Sequence, residues 1–136
     1  MYELFDHTAD VGLRVRAADR PGLFADAGRG LFSLIVENID AVEARRWLTF
    51  RLEGSSLDHL LVDWLAELLY TFDTRRMLMA RFDVRVGDGS LDARAAGEPF
   101  DPSRHRLGPE VKAVTYHGLT ARRTDDGYLA EVIVDI

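Results

Sequence analysis

Asp6, His7 and Asp10 lie within five residues of one another near the start of the chain. Two carboxylates and an imidazole in one turn are the residue types that hold a cation, and hard carboxylate oxygens suit Ca2+, Mg2+ or Mn2+ better than zinc. The same residues have a plainer reading. Asp10 or Thr8 satisfies the N–H groups of a turn that Gly12 helps to close, and His7 joins a packed hydrogen-bond network. A third carboxylate, Asp135, stands beside Ile136 at the far end of the sequence. Alone it reads as a solvated strand end. With Asp10 and the terminal carboxylate of Ile136 it would supply a set of hard oxygen ligands, but spacing does not say whether these residues meet.

Two further residues can do chemistry. Lys112 is the single lysine in an arginine-rich chain and can donate to a phosphate or a carboxylate. His117, between Tyr116 and Gly118, can serve as a base, a ligand or a hydrogen-bonded core residue, the last being the simplest role. The signatures of several enzyme classes are absent. There is no Walker loop, no GxGxxG, no HExxH and no serine in a nucleophile elbow. The chain has no cysteine, which removes thiolate metal sites, disulfides and cysteine nucleophiles. Asp63 and Glu67 form an acidic i,i+4 pair on the polar side of a helix, where a solvated or partner-docking face explains them as well as acid–base chemistry. Nothing in the sequence requires an enzyme.

These residues need elements to position them, and the longest is Ser55 to Phe72. Leu57, Leu60, Leu61, Trp64, Leu65, Leu68, Leu69 and Phe72 repeat at three- and four-residue steps. That is the period of a helix with one broad apolar face, about 27 Å long. Ser55 or Ser56 is placed to cap its first N–H groups. A second helix is expected over Asp19–Glu37, with Pro21 in its first turn and Leu23, Phe24, Ala27, Leu31, Phe32 and Ile35 on one face. Gly28 and Gly30 weaken that helix; they permit either a close approach to a sheet or nothing at all.

Alternating residues predict strands at Leu13–Ala17, Trp47–Glu53, Leu78–Val86, Leu91–Ala95, Val111–Tyr116 and Tyr128–Ile136, with a shorter continuation at Leu119–Arg122. Tyr2–Phe5 reads as a strand or an extended arm. Gly87-Asp88-Gly89 and Asp125-Asp126-Gly127 are hairpin turns, and Gly97 to Pro109 reads as a rigid loop. The expected fold is α+β, a compact single domain over residues 1–136, with two helices packed on a mostly antiparallel sheet of about six strands.

The formal charge of −6 argues against general attraction to phosphate backbones. Arg75, Arg76, Arg81 and Arg85 are read as solvated surface, and no RNA contact is assigned to them. Glu3, Asp6 and His7 interrupt any signal-like start, and no apolar run is long enough to span a membrane. A cytoplasmic protein with no membrane association is the expectation.

Five stretches together resemble the archease family. They are Tyr2-Glu-Leu-Phe-Asp-His-Thr-Ala-Asp-Val-Gly12, Leu61 to Thr74, Gly97-Glu-Pro-Phe-Asp101, Glu110 to Leu119, and the closing Val-Ile-x-Asp-Ile. The resemblance covers essentially the whole chain. It implies a non-catalytic accessory protein of the GTP-dependent RNA 3'-phosphate ligase of tRNA splicing and RNA repair, one that promotes the ligase's guanylylation and multiple turnover. The alternative it carries is a chaperone or specificity modulator of a tRNA cytosine-5 methyltransferase. It also implies a divalent-cation site, calcium by preference, at Asp10, Asp135 and Ile136. Asp6, His7, Lys112 and His117 would lie around that site. The glycines of the first helix depart from the alanine-rich pattern of the family.

Overall fold

The computed structural model describes residues 1–7 and 10–136. In chain order the elements are β1 (Tyr2–His7), β2 (Asp10–Ala17), α1 (Arg20–Ile35), a 3-10 turn at Ile39–Ala41, β3 (Arg46–Glu53), α2 (Leu57–Arg75), β4 (Met77–Gly87), β5 (Ser90–Pro99), β6 (Ala113–Val114), β7 (Thr120–Thr124) and β8 (Gly127–Asp135).

Every pairing among these strands is antiparallel, as expected. The strands do not form one sheet of about six. Five of them make one sheet in the order β1-β2-β8-β6, with β7 also on β8, and three make another in the order β3-β5-β4. β2 takes one edge of β8, so β6 and β7 share the other, β7 along Gly127–Glu131 and β6 at Val134 and Asp135.

The reason for two sheets is visible in α1. A Cβ on Gly28 would stand 2.7 Å from the Phe82 ring of β4. A Cβ on Gly30 would stand 2.4 Å from Leu13 of β2 and 3.2 Å from Tyr2 of β1. Residues two apart on an α-helix point to nearly opposite sides. The helix therefore lies between the two sheets, and each glycine lets one of them approach. A sequence pattern that shows one apolar face per helix hides this, because small residues complete the second face.

α2 lies in the same layer. Its Trp64 is fully buried and packs edge-on against Phe50 of β3 and Phe82 of β4, at centroid distances of 5.5 and 6.2 Å. The Trp64 Nε1–H donates to the Phe24 carbonyl of α1 at 2.9 Å, which ties the helices together. Leu23, Phe24, Leu61, Leu65 and Leu68 complete a core from which water is excluded.

The helix ends follow local chemistry. The Asp19 carboxylate accepts from the Gly22 N–H at 2.8 Å, with Pro21 in the first turn. Ser56 takes the N-cap position of α2, but its hydroxyl makes no capping bond, contrary to expectation. α2 stops at Arg76, whose φ of 55° is left-handed and whose N–H donates to the Phe72 carbonyl at 2.8 Å.

Other boundaries moved as well. The strand expected at Val111–Tyr116 is reduced to Ala113–Val114, and the N–H and hydroxyl of Thr115 both donate to the Ile133 carbonyl just past its end. Gly97 to Pro99, expected in a loop, continue β5 and pair with β4. Both two-residue hairpins stand as expected, at Asp88-Gly89 and Asp125-Asp126.

Candidate functional site

β2 and β8 run side by side along their lengths, and their register sets Asp10 opposite Asp135. Directly opposed residues of an antiparallel pair share one face of the sheet. Two acidic residues from the two ends of the sequence thus share one row at one end of the five-stranded sheet. Ala113 of β6 opposes Asp135 from the other side, and the backbone N–H of Lys112 donates to the Asp135 carbonyl at 2.8 Å. Lys112 is tied to the Asp135 main chain by its own main chain, while the residue itself is exposed. Ile136 follows directly, half-buried and packed against the core.

The neighbouring rows on that face are built to hold this end in register. Phe5 opposes Gly12, and a Cβ on Gly12 would meet the Phe5 ring at 2.1 Å. The ring therefore lies across the bare glycine. The Arg14 guanidinium stands 4.6 Å from the ring centroid and also bonds Glu131 at 3.0 Å and Glu3 at 3.1 Å. Its partners hold Arg14 more firmly protonated, Glu131 first. An ion-pair lattice across β1, β2 and β8 so pins the strands one row below the aromatic ring.

Other predicted residues fall elsewhere. Asp6 opposes Val11, and Val11 opposes the buried Val134, so Asp6 is on the other face of the sheet from Asp10. The His7 backbone pairs with Asp10 in β1. Thr8, Ala9 and the His7 side chain lie outside the described residues, and with them the proposed roles of that turn. His117 is exposed rather than in the core, in the turn after β6, with its N–H donating to the Thr115 hydroxyl at 3.3 Å.

This placement corrects the cation expectation. Among the described residues no group of three or more histidine, aspartate or glutamate side chains converges to hold a metal ion. The divalent cation, and calcium in particular, is therefore withdrawn as a cofactor. Strand alternation is the cause: residues adjacent in sequence point to opposite faces, so Asp6 cannot join Asp10, and Asp135 makes a pair rather than a cluster.

A second polar centre was not anticipated. Glu98 is 2% exposed and His105 is equally buried. By strand alternation Glu98 shares the outer face of β5 with Asp92 and Arg94, but the segment through Arg104 and His105 folds over it. Arg104 grips both oxygens, at 2.6 and 2.7 Å. The Glu43 N–H adds a bond at 2.6 Å and His105 Nε2 another at 3.1 Å. Arg104 first, then the Glu43 N–H and His105, hold the Glu98 pKa down at about 2 against the cost of burial. The Asp101 N–H donates to His105 Nδ1 at 2.9 Å. Nδ1 must then be an acceptor, so Nε2 carries the proton that faces Glu98. The signal available in the sequence was the Gly97–Asp101 stretch itself, with an acid flanked by Gly and Pro at a strand end. This clasp fixes the start of the segment that runs through Leu107 to Lys112 and so reaches Asp135.

With this geometry in hand, the chain can be set beside known proteins. The model of the Archease protein family (MTH1598/TM1083) matches residues 2–136. Protein archease of Methanopyrus kandleri is 39% identical over 139 residues, which cover 99% of each chain. The solution structure of Methanobacterium thermoautotrophicum protein 1598 superposes with a TM-score of 0.85 at 32% identity, over 99% of this chain and 98% of that one. The crystal structure of a Thermotoga maritima archease, described as a possible chaperone, superposes with a TM-score of 0.67 at 16% identity, over 100% and 98%. This last likeness concerns the fold.

Proposed function

The chain belongs to the archease family, and from that premise we propose that it activates a GTP-dependent RNA ligase by docking through the end of the sheet that carries Asp10 and Asp135. Family membership gives the coarser part of this reading, a non-catalytic accessory protein with a chaperone-like role. The finer part rests on one observation, the cross-strand pairing of Asp10 with Asp135.

The register brings two carboxylates to one row at a sheet end, and carboxylates there can accept hydrogen bonds from the cationic groups of a docked protein. A ligase that handles GTP and RNA ends needs cationic groups to neutralise phosphates. An accessory protein that presents two carboxylates to such groups can favour one conformation of the ligase over another. It promotes guanylylation to the extent that it binds the GTP-competent form more tightly than the spent form. Tenfold preference corresponds to about 1.4 kcal/mol, within reach of one charged contact shielded from water.

The test is multiple-turnover ligation by the cognate ligase with GTP, with and without this protein, using wild type, Asp10→Ala and Asp135→Ala. Wild type should raise turnover, and both variants should lose most of that stimulation while melting as folded proteins. Absence of stimulation by wild type would remove ligase activation and make assistance to an RNA methyltransferase the next assay.

A further inference from the structure

β3 is an edge strand of 8 residues. Among the described residues it pairs with β5 alone, at one end of the order β3-β5-β4. The phase of that ladder follows from the Gly54 N–H, which donates to the Gly89 carbonyl at 2.9 Å just past the strand. Bonded pairs of an antiparallel ladder recur at every second residue. Leu48, Phe50 and Leu52 therefore bond to β5. Trp47, Thr49, Arg51 and Glu53 turn their N–H and C=O groups to the open side. An unpaired row of this kind is a template for another extended chain.

The side chains around the edge define what it accepts. On the inner face Leu48 and Leu52 are only half-buried, whereas Phe50 between them is buried. On the outer face Trp47 is largely exposed. α1 packs under β4 through Gly28 and Phe82, and α2 packs under β3 through Trp64 and Phe50. The flank of α2 that is turned away from α1 thus lies beneath the open edge. Asp63 and Glu67 stand on that flank. They lie to one side of Trp64, away from the fully buried Leu61, Leu65 and Leu68, and both are half-buried. Neither makes an ion pair among the described residues.

We propose that the open edge of β3 accepts an extended segment of the ligase whose inward side chains are lysine or arginine. The proposal rests on the ligase reading above and gives it a contact surface separate from the Asp10–Asp135 row. The β3 backbone offers bonds that any extended chain can make, and the alternate side chains make the selection. The apolar stems of inward basic residues cover Leu48 and Leu52, and their charged heads reach Asp63 and Glu67. A second copy of this chain fits less well. Its β3 turns Leu48, Phe50 and Leu52 inward, with no cation among them for Asp63 and Glu67, and its own acidic flank would face the first.

Binding of the cognate ligase is measured by calorimetry for wild type, Thr49→Pro and the double variant Asp63→Asn with Glu67→Gln. Amide hydrogen exchange of wild type is followed alone and with the ligase. The Thr49 N–H points to the open side, where an edge strand tolerates proline, and thermal melts check the fold. Both variants should weaken binding about tenfold. The amides of Trp47, Thr49 and Arg51 should exchange at least about tenfold more slowly in the complex. If Thr49→Pro does not fold, the double variant and the amides still decide. A folded Thr49→Pro or a double variant that binds as tightly as wild type overturns the edge proposal and leaves the ligase reading standing. So do amides that the ligase leaves unprotected. Protection that grows with protein concentration in the absence of ligase gives the edge to a second copy and also overturns the proposal. If wild type does not bind the ligase, both readings fall.

Discussion

Asp10 and Asp135 occupy one register position of neighbouring antiparallel strands, two carboxylates on one side of the sheet. Asparagine at 135 keeps the size and the main-chain bonds of the strand, so Asp135→Asn should leave the melting temperature within a few degrees of wild type, while it lowers stimulation of the ligase. A variant that melts well below wild type would show that Asp135 stabilises the fold and does not serve a partner.

Glu98 makes stability depend on pH. Its pKa falls from 4.5 to about 2 in the folded protein, chiefly through Arg104. A depressed carboxyl pKa stabilises the fold above the unfolded value and loses that contribution as pH falls from about 4.5 towards 2. The loss is roughly 3 kcal/mol for a group so well buried. Urea unfolding from pH 7 to pH 3 should show the decline. Glu98→Gln should be less stable at pH 7 by about 3–5 kcal/mol, because Arg104 loses its countercharge. In that variant the dependence below pH 4.5 should be shallower.

Gly28→Ala and Gly30→Ala test whether α1 is pressed from both sides. Alanine favours the helix by up to about 1 kcal/mol, but its methyl group would strike Phe82 in one case and Leu13 in the other. Overpacking of this kind costs about 1–3 kcal/mol, so each variant should be destabilised in denaturant titrations. A stabilised variant would mean that the helix has room on that side.

Trp64→Phe removes the indole donor to the Phe24 carbonyl and leaves a smaller ring in the core. The expected loss is about 2–3 kcal/mol by urea unfolding. The remaining tryptophan, Trp47, is 45% exposed with the Arg94 guanidinium 4.5 Å from its ring. Emission of the folded variant should therefore shift to longer wavelength and quench readily with acrylamide.

Much of this could be read in the residues. The period of Leu57 to Phe72 predicts α2, and Asp19-Arg20-Pro21 predicts the start of α1, because both signals are local. The alternating strands and both hairpin turns are local in the same way. The two-sheet arrangement was hidden, because Gly28 and Gly30 read as weak helix residues and not as the surface on which a second layer rests. The Glu98 clasp was hidden too. Its partners come from two segments, Glu43 ahead of β3 and Arg104 with His105 after β5, and nothing in either by itself announces a buried ion pair.

The sequence by itself determined which segments become helices and strands, and it marked Asp10, Asp135 and Lys112 as residues to follow. Only the tertiary structure decided that Asp10 stands opposite Asp135 in register, that Asp6 faces away, and that no group of three histidine or carboxylate side chains converges among the described residues. Periodicity states which residues of one element share a face. Which elements become neighbours, and in what register, depends on contacts between segments far apart in the chain.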